Sequence, residues 1–276
     1  MQKVASSTQI VGSCANDLAV AERNRRPMQP LTELFPQLSL LDAYGIQRAN
    51  ILRRTSEGER VVGHKIGLTA RTMQELFGVN EPDYGHILDT MMHDASTVLD
   101  LSELIDPQIE VEPAFVLSRR LEGPGLTGAD ILAATEYISV CFEVIDSRIA
   151  DWRIKVQDTV ADNGSSARVV MGSKKVQPGA LVLDDLETLL ELDGEIVERG
   201  NTSAILGHPA NGVAWLANKL ADFGVALNAG DVVLPGTCTR CRRIAGHKVA
   251  KGSIAGLGEV SIRLHNAPSV VHGKSS

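Results

Sequence analysis

The chain has 276 residues, 43% of them hydrophobic and 4% aromatic, and its 27 Lys and Arg against 34 Asp and Glu give a formal charge of −7. That length suffices for one large or two small domains around a core built mainly from Leu, Val, Ile and Ala. The acidic balance, with Arg240, Arg242 and Arg243 as the one short basic cluster, argues against nucleic-acid binding, and no apolar run approaches the ~20 residues of a membrane span. Residues 1–24 lack a basic segment followed by an apolar one, so no secretion signal is expected. Four scattered cysteines, Cys14, Cys141, Cys238 and Cys241, make no disulfide framework and fit a reducing, cytoplasmic setting.

Residues 8–24 carry a loose helical periodicity, and Pro27–Pro36 reads as a proline-punctuated connector. Ser39 with Asp42 three residues on caps a helix expected to end near Gly58. Residues 1–60 thus form a small N-terminal helical lobe. A strand follows over Arg60–Gly67, then a short helix over Thr69–Phe77 closed by Gly78. Val111–Leu117 reads as a strand. Thr127, with Asp130 three residues later, starts a helix expected to run through Tyr137. Asp193-Gly194 marks the tight turn of a hairpin over Leu189–Val197. Pro209–Phe223 is a helix with proline in its first turn and Gly224 behind it. Val232–Leu234 and Glu259–Leu264 are apolar strands. The mixture lacks a regular βαβ rhythm, and the tail 266–276 is expected to be flexible.

Three segments place charge where apolar residues dominate. Glu110 and Glu112 lie two apart in a strand, so both point to one face. Adjacent carboxylates repel unless a cation lies between them or one keeps a proton, and carboxylate oxygens suit Mg2+ or Mn2+. The alternative is a solvated strand face. Glu143 sits inside the apolar run Cys141–Ile145, where a carboxylate needs a metal or an ion pair, Arg148 being the nearest cation in sequence. Lys65, between His64 and Ile66 at a strand end, suits either a surface lysine or an acid–base group whose pKa burial lowers. Asp83 stands in a turn-like context. Cys238 and Cys241 form a single C-x-x-C with no second ligand pair, which reads as two ordinary thiols rather than a zinc site.

The charged segments, with several others, resemble the 2-hydroxypenta-2,4-dienoate hydratases, also called 2-keto-4-pentenoate hydratases. The resemblance runs from about Leu40 to His265. It is carried by Val62 through Thr69, Gly78 through His86, the Glu110/Glu112 strand, Glu143 through Trp152, Asp158 through Ser166, Leu206 through Pro209, Ala214 through Asn218, and Gly256 through Gly258. It implies an α+β fold of the fumarylacetoacetase C-terminal-domain type, a mixed β-sheet roll flanked by helices, over residues 61–265. It implies a Mg2+ or Mn2+ ion on Glu110, Glu112 and Glu143, Lys65 and Asp83 as the acid–base pair, and Ser165 and Thr237 on substrate oxygens. The implied activity is hydration of a small 2-keto acid in meta-cleavage catabolism of aromatic compounds or steroids, by a cytoplasmic homo-oligomer that associates with a downstream aldolase. Two alternatives stand beside it: a 4-oxalocrotonate decarboxylase, and a non-catalytic partner subunit in an aldolase or decarboxylase complex. The chain departs from the resemblance at the loop Thr237–Arg242 and at Pro113. The latter removes a ladder donor, so its strand is expected to be locally at an edge or bulge.

Overall fold

A computed structural model describes residues 7–266; the expected flexible tail lies outside them except for Asn266, whose side chain bonds the main chain of Gly246 and His247. The chain begins with α1 (Ser7–Asn24), the single turn α2 (Leu31–Leu34) and α3 (Leu40–Ser56). Ser39 and Asp42 form the expected reciprocal cap of α3. The Pro27–Pro36 connector is more ordered than its prolines suggest, because Leu31 is fully buried and drives the turn α2 into the core. Then come β1 (Val61–Gly67), α4 (Arg71–Phe77), β2 (Asp83–Leu88), β3 (Met92–Asp94), β4 (Val98–Asp100) and β5 (Gln108–Leu117). They are followed by α5 (Gly128–Ala134), β6 (Thr135–Ile145), α6 (Val156–Ala161), β7 (Ser166–Met171), and the hairpin β8 (Glu187–Leu192) and β9 (Glu195–Asn201). Last come α7 (Pro209–Ala221), β10 (Val232–Leu234), β11 (Arg242–Arg243), β12 (Val249–Ile254) and β13 (Gly258–His265).

The helix expected through Tyr137 stops at Ala134. From Thr135 the sequence alternates, with Ile138, Val140, Phe142 and Val144 all buried in the main core. Burying that face in a sheet outweighs continuing a seven-residue helix. Asp193 and Gly194 both take positive φ, as the tight hairpin turn requires.

The strands form two mixed sheets. The larger runs β2-β1-β10-β5-β6-β7-β3 with β11 also on β5; the smaller runs β4-β13-β12-β8-β9. Ile109, Val111 and Phe115 of β5 and Phe142 and Val144 of β6 share one core with Leu190, Ile254, Val260 and Ile262 of the smaller sheet. The sheets touch at Gly252, where a Cβ would collide with the Phe142 ring and Val111. Alternation along β5 therefore leaves Glu110 and Glu112 on the opposite face of the larger sheet. Pro113 has no strand partner on its β10 side: β10 registers only with Phe115 and Val116, and β11 only with Gln108 and Ile109. The local edge expected from this proline is present inside an otherwise central strand.

The N-terminal helices build a second cluster from Cys14, Leu18, Leu31, Ala43 and Ile46, which also contains Ile149, Val160 and Ala161. Two buried polar side chains fasten it. Gln47 donates to the carbonyls of Tyr84 and Val160, both at 2.9 Å. Asp158 accepts from Thr32 N at 3.0 Å, Thr32 Oγ1 at 2.7 Å and Lys155 N at 2.9 Å. Replacing Asp158 with Ala strands those donors in the interior and is expected to cost about 3 kcal/mol. Urea unfolding checks this; a loss below about 1 kcal/mol would show that the lobe is held by apolar contact alone.

Candidate functional site

The site grows from two strand pairings. The β5–β6 register sets Glu110 directly opposite Glu143 and Glu112 opposite Cys141. The β1–β2 register sets Lys65 opposite Gly85 and Gly67 opposite Asp83. Strand β10 lies between the two pairs, parallel to β1 with Lys65 beside Leu234. The chain leaving β10 turns over the acids, where the Gly236 amide donates to Glu112 Oε2 at 2.9 Å.

Glu110, Glu112 and Glu143 each offer an oxygen within 4.8 Å of the others. Glu112 and Glu143 are buried, and Glu110 is half-buried. Glu112 Oε1 and both oxygens of Glu143 accept no hydrogen bond. The nearest cation is Lys65, whose Nζ lies 3.6 Å from Glu143 Oε2. Burial first, then mutual repulsion, pushes the Glu110 carboxyl up to about 8 and the Glu112 carboxyl well above the usual range. Burial also raises Glu143, partly offset by Lys65 and the adjacent Ser166 hydroxyl. Three crowded oxygen donors facing one point, two of them with unmet lone pairs, fit a hard divalent cation. Among the described residues, no other group of three or more His, Cys, Asp and Glu is placed to hold a metal.

Lys65 is buried, in keeping with its apolar neighbours, yet its charge state differs from the sequence expectation. Burial alone lowers an amine, but Glu143, Asp83, Glu110 and Glu112 together outweigh it and hold Lys65 above the ordinary lysine value. Asp83 is not a turn residue but the buried start of β2. Burial pushes its carboxyl up, with Lys65 opposing. The gap between them exists because residue 67 is glycine: a Cβ there would collide with Asp83 Oδ1 and reach 3.4 Å from Lys65 Nζ.

The other sequence candidates fall differently. Arg148, offered as the partner of Glu143, instead pairs with Asp162, its Nε donating to Oδ1. The Ser165 hydroxyl is engaged at 3.1 Å with the same Asp162, while Ser166 is the hydroxyl beside Glu143. Thr237 is half-buried next to Gly236, and its hydroxyl bonds the main chain of Thr239. Cys238 and Cys241 are free thiols, each pushed up to about 12 by burial, and among the described residues they belong to no group of three or more His, Cys, Asp and Glu placed to hold a metal. Sequence reasoning missed the Gly236 amide, Ser166, and Asn163, whose amide clamps the backbone of His86. The run Asp158–Ser166 carried the signal as a motif, but the individual roles depend on backbone geometry.

With this geometry in place, the relatives are informative. Residues 74–265 match the family described as fumarylacetoacetate (FAA) hydrolase, C-terminal. The chain is 40% identical to 2-hydroxyhexa-2,4-dienoate hydratase of Comamonas testosteroni, over 94% of this chain and 98% of the other. It is 44% identical to 2-hydroxypent-2,4-dienoate hydratase of Pseudomonas putida, over 79% and 98%. The structure superposes with a TM-score of 0.89 on 4-oxalocrotonate decarboxylase from Pseudomonas putida G7, complexed with magnesium and adipate, at 34% identity over 96% of this chain and all of that one. The chain belongs to the FAA hydrolase C-terminal family, within the branch of the 2-hydroxydienoate hydratases. The expected mixed-sheet α+β fold is the one observed.

Two outcomes follow from the electrostatics. Carboxyls raised above their unfolded value of 4.5 favour folding at low pH, and that contribution is lost as pH climbs through about 8. A divalent cation replaces those protons. Mg2+ or Mn2+ should therefore raise Tm more near pH 8.5 than near pH 6; an equal rise at both would contradict the acid cluster as the binding site. The double variant Cys238→Ser, Cys241→Ser should keep its fold and turnover. Stoichiometric zinc in the parent protein, lost in the variant, would show the thiols to be ligands.

Proposed function

We propose that the protein is a hydro-lyase that adds water to 2-hydroxypenta-2,4-dienoate or a close homologue, giving 4-hydroxy-2-oxopentanoate. The observation that carries this reading is the cluster of Glu110, Glu112 and Glu143, in which Glu112 Oε1 and both Glu143 oxygens accept no hydrogen bond, facing Lys65 and Asp83. The hydratase relatives, at 40% and 44% identity over nearly their whole length, supply the reaction class. The 34% identity and close superposition of the decarboxylase keep one second reading in view, loss of carbon dioxide from a 2-hydroxymuconate-type diacid.

Glu110, Glu112 and Glu143 would hold a Mg2+ or Mn2+ ion, which supplies electrophilic stabilisation for negative charge developing on the substrate's 2-oxo group. The chain's own residues move the protons. Ketonisation takes the proton from the enol oxygen and places one on C5. Water then adds its hydroxyl to C4, and a proton goes to C3. Lys65, held charged by the surrounding carboxylates, is the donor in this scheme. Asp83, raised by burial, is the acceptor across the space that Gly67 leaves open. Ser165 and Thr237 would contact substrate oxygens, for which the Ser165 hydroxyl has to exchange its bond to Asp162 for one to substrate. Burial of the pair keeps bulk water from competing for these protons.

The same reading takes residues 61–265 as the catalytic unit and 1–60 as a supporting lobe, in a cytoplasmic enzyme of aromatic-compound catabolism. No helix among the described residues is long and apolar enough to cross a membrane. A homo-oligomer that passes product to an aldolase is part of the proposal; Leu41 and Leu76, 77% and 75% exposed, are apolar surface that a partner would cover.

The direct test supplies 2-hydroxypentadienoate, its methyl homologue and 2-hydroxymuconate separately and follows loss of the dienol chromophore. Consumption of a pentadienoate, abolished by chelator and restored by Mg2+ or Mn2+, is expected; turnover of the muconate alone with release of carbon dioxide would establish the decarboxylase. Lys65→Arg keeps the charge but does not readily give up a proton, so kcat should fall roughly 10²-fold or more. A near-native kcat with an unchanged pH profile would move the donor role elsewhere.

A further inference from the structure

Residues 163–165 form an unusual turn. Asn163, Gly164 and Ser165 take φ of 57°, 61° and 55°, three left-handed residues in succession, two of them not glycine. Such a run is unfavourable for L-residues and persists only where its surroundings over-determine it. Two clamps do so here. On one side Asp162 is bound to Arg148: Nε donates to Asp162 Oδ1, the Arg148 amide donates to Oδ2 at 3.1 Å, and Nη2 donates to the Asp162 carbonyl at 2.6 Å. The Ser165 amide closes back onto that carbonyl at 2.9 Å, and the Asp146 amide donates to the Ser165 carbonyl at 2.8 Å. On the other side Asn163 acts like one residue of a neighbouring strand. Its Oδ1 accepts from His86 N at 2.7 Å, and its Nδ2 donates to the His86 carbonyl at 2.9 Å. Gly85 lets the turn come this close, because a Cβ there would strike the Asn163 carbonyl.

The turn meets the site at one residue. The Gly164 carbonyl accepts from Lys65 Nζ at 3.2 Å, and a Cβ on Gly164 would sit 3.1 Å from both Cδ and Nζ of Lys65. We propose that the left-handed turn Asn163–Ser165, held between the Arg148–Asp162 ion pair and the Asn163 clamp on β2, is a positioning element that fixes where the Lys65 ammonium points. Arg148, Asp162 and Asn163 are then positioning residues that act through Lys65. The arrangement has a clear physical use. A lysine has four rotatable bonds, and three acidic side chains on one side pull its ammonium toward Glu143. The carbonyl of an immobile turn offers an opposing acceptor that leaves the ammonium between the acids and the space in front of Asp83. Because the turn is tied to β2 by Asn163, Lys65 and Asp83 are referenced to the same strand pair.

The kinetic part of the test rests on the hydration reading; the structural part does not. Asp162→Asn would leave Arg148 buried without its counter-charge and threaten the whole fold, so the informative variants lie at 163 and 164. Asn163→Gly keeps a residue at ease with positive φ while removing the clamp, and Asn163→Asp keeps the acceptor for His86 N. Gly164→Ala puts a methyl group against Lys65. For Asn163→Gly and Gly164→Ala, kcat on the dienoate should fall about 10- to 100-fold, with KM and Mn2+ affinity within about threefold of the parent, and Asn163→Asp should recover part of the loss. A kcat that is unchanged, or a KM that rises and a Mn2+ affinity that falls by as large a factor as kcat, would overturn the positioning role. Crystal structures of the parent and Asn163→Gly decide the matter even if the parent does not hydrate a dienoate. The expected result is Lys65 Nζ beyond about 3.5 Å of the Gly164 carbonyl in the variant; an unmoved ammonium would overturn the proposal.

Discussion

Burying Glu110, Glu112 and Glu143 side by side is the constraint around which the rest of this structure is arranged. Charged carboxylates in a protein interior cost several kcal/mol each unless paired, and among the described residues the one cation paired with the three acids is Lys65, on Glu143. Without a second positive charge the cluster keeps protons; with a divalent ion it becomes a site of high field. The sheet's register brings the three acids together, and the smaller sheet packs against the back of the same strands, where Ile109, Val111, Phe115, Phe142 and Val144 join the main core. Where side chains would intrude, the chain uses glycine: Gly67 leaves room for Asp83, Gly85 for the turn at Asn163, and Gly164 for Lys65.

The same field sets the roles of the titratable groups. Four carboxylates hold Lys65 protonated against the desolvation that would discharge it, and burial raises Asp83 toward the range where it can accept a proton. Both groups are shifted upward, Lys65 by the acids around it and Asp83 by burial, and paired as donor and acceptor they would suit the enol and keto chemistry of a 2-oxo acid. That chemistry is common to dienoate hydration and to decarboxylation, which is why a decarboxylase can share this fold so closely while the higher identities lie with hydratases. The N-terminal lobe contributes indirectly, since Gln47 and Asp158 tie it to the carbonyl of Tyr84 and to α6, next to Asp83 and the turn at 163–165.

Much of this arrangement is legible in the amino-acid sequence. Period-two spacing alone puts Glu110 and Glu112 on one face, and the cap at Ser39, the stop at Gly78 and the turn at Asp193-Gly194 mark local elements whose physics is confined to a few residues. Pro113 correctly announces a gap in pairing. What the sequence conceals depends on contacts between distant residues. Arg148 lies five residues from Glu143 but faces Asp162, because β6 ends before it and the chain turns away. The Lys65 charge state is hidden because burial is visible in the apolar neighbours while the four surrounding carboxylates come from three other strands. The helix at Thr127 ends earlier than its pattern suggests. Capping signals mark where a helix starts, whereas its end is set by the demand of the core for Ile138, Val140 and Phe142.

The central claim is that the cluster of Glu110, Glu112 and Glu143, with one cation, Lys65, beside it, takes up a divalent ion in exchange for protons. Titrating Mn2+ into metal-free protein in weakly buffered solution near pH 7, while counting both ions taken up and protons given off, tests it without reference to any substrate. The account predicts one ion per chain with about one proton or more released as it binds. Failure to take up a stoichiometric ion, or uptake with no proton release, would contradict it.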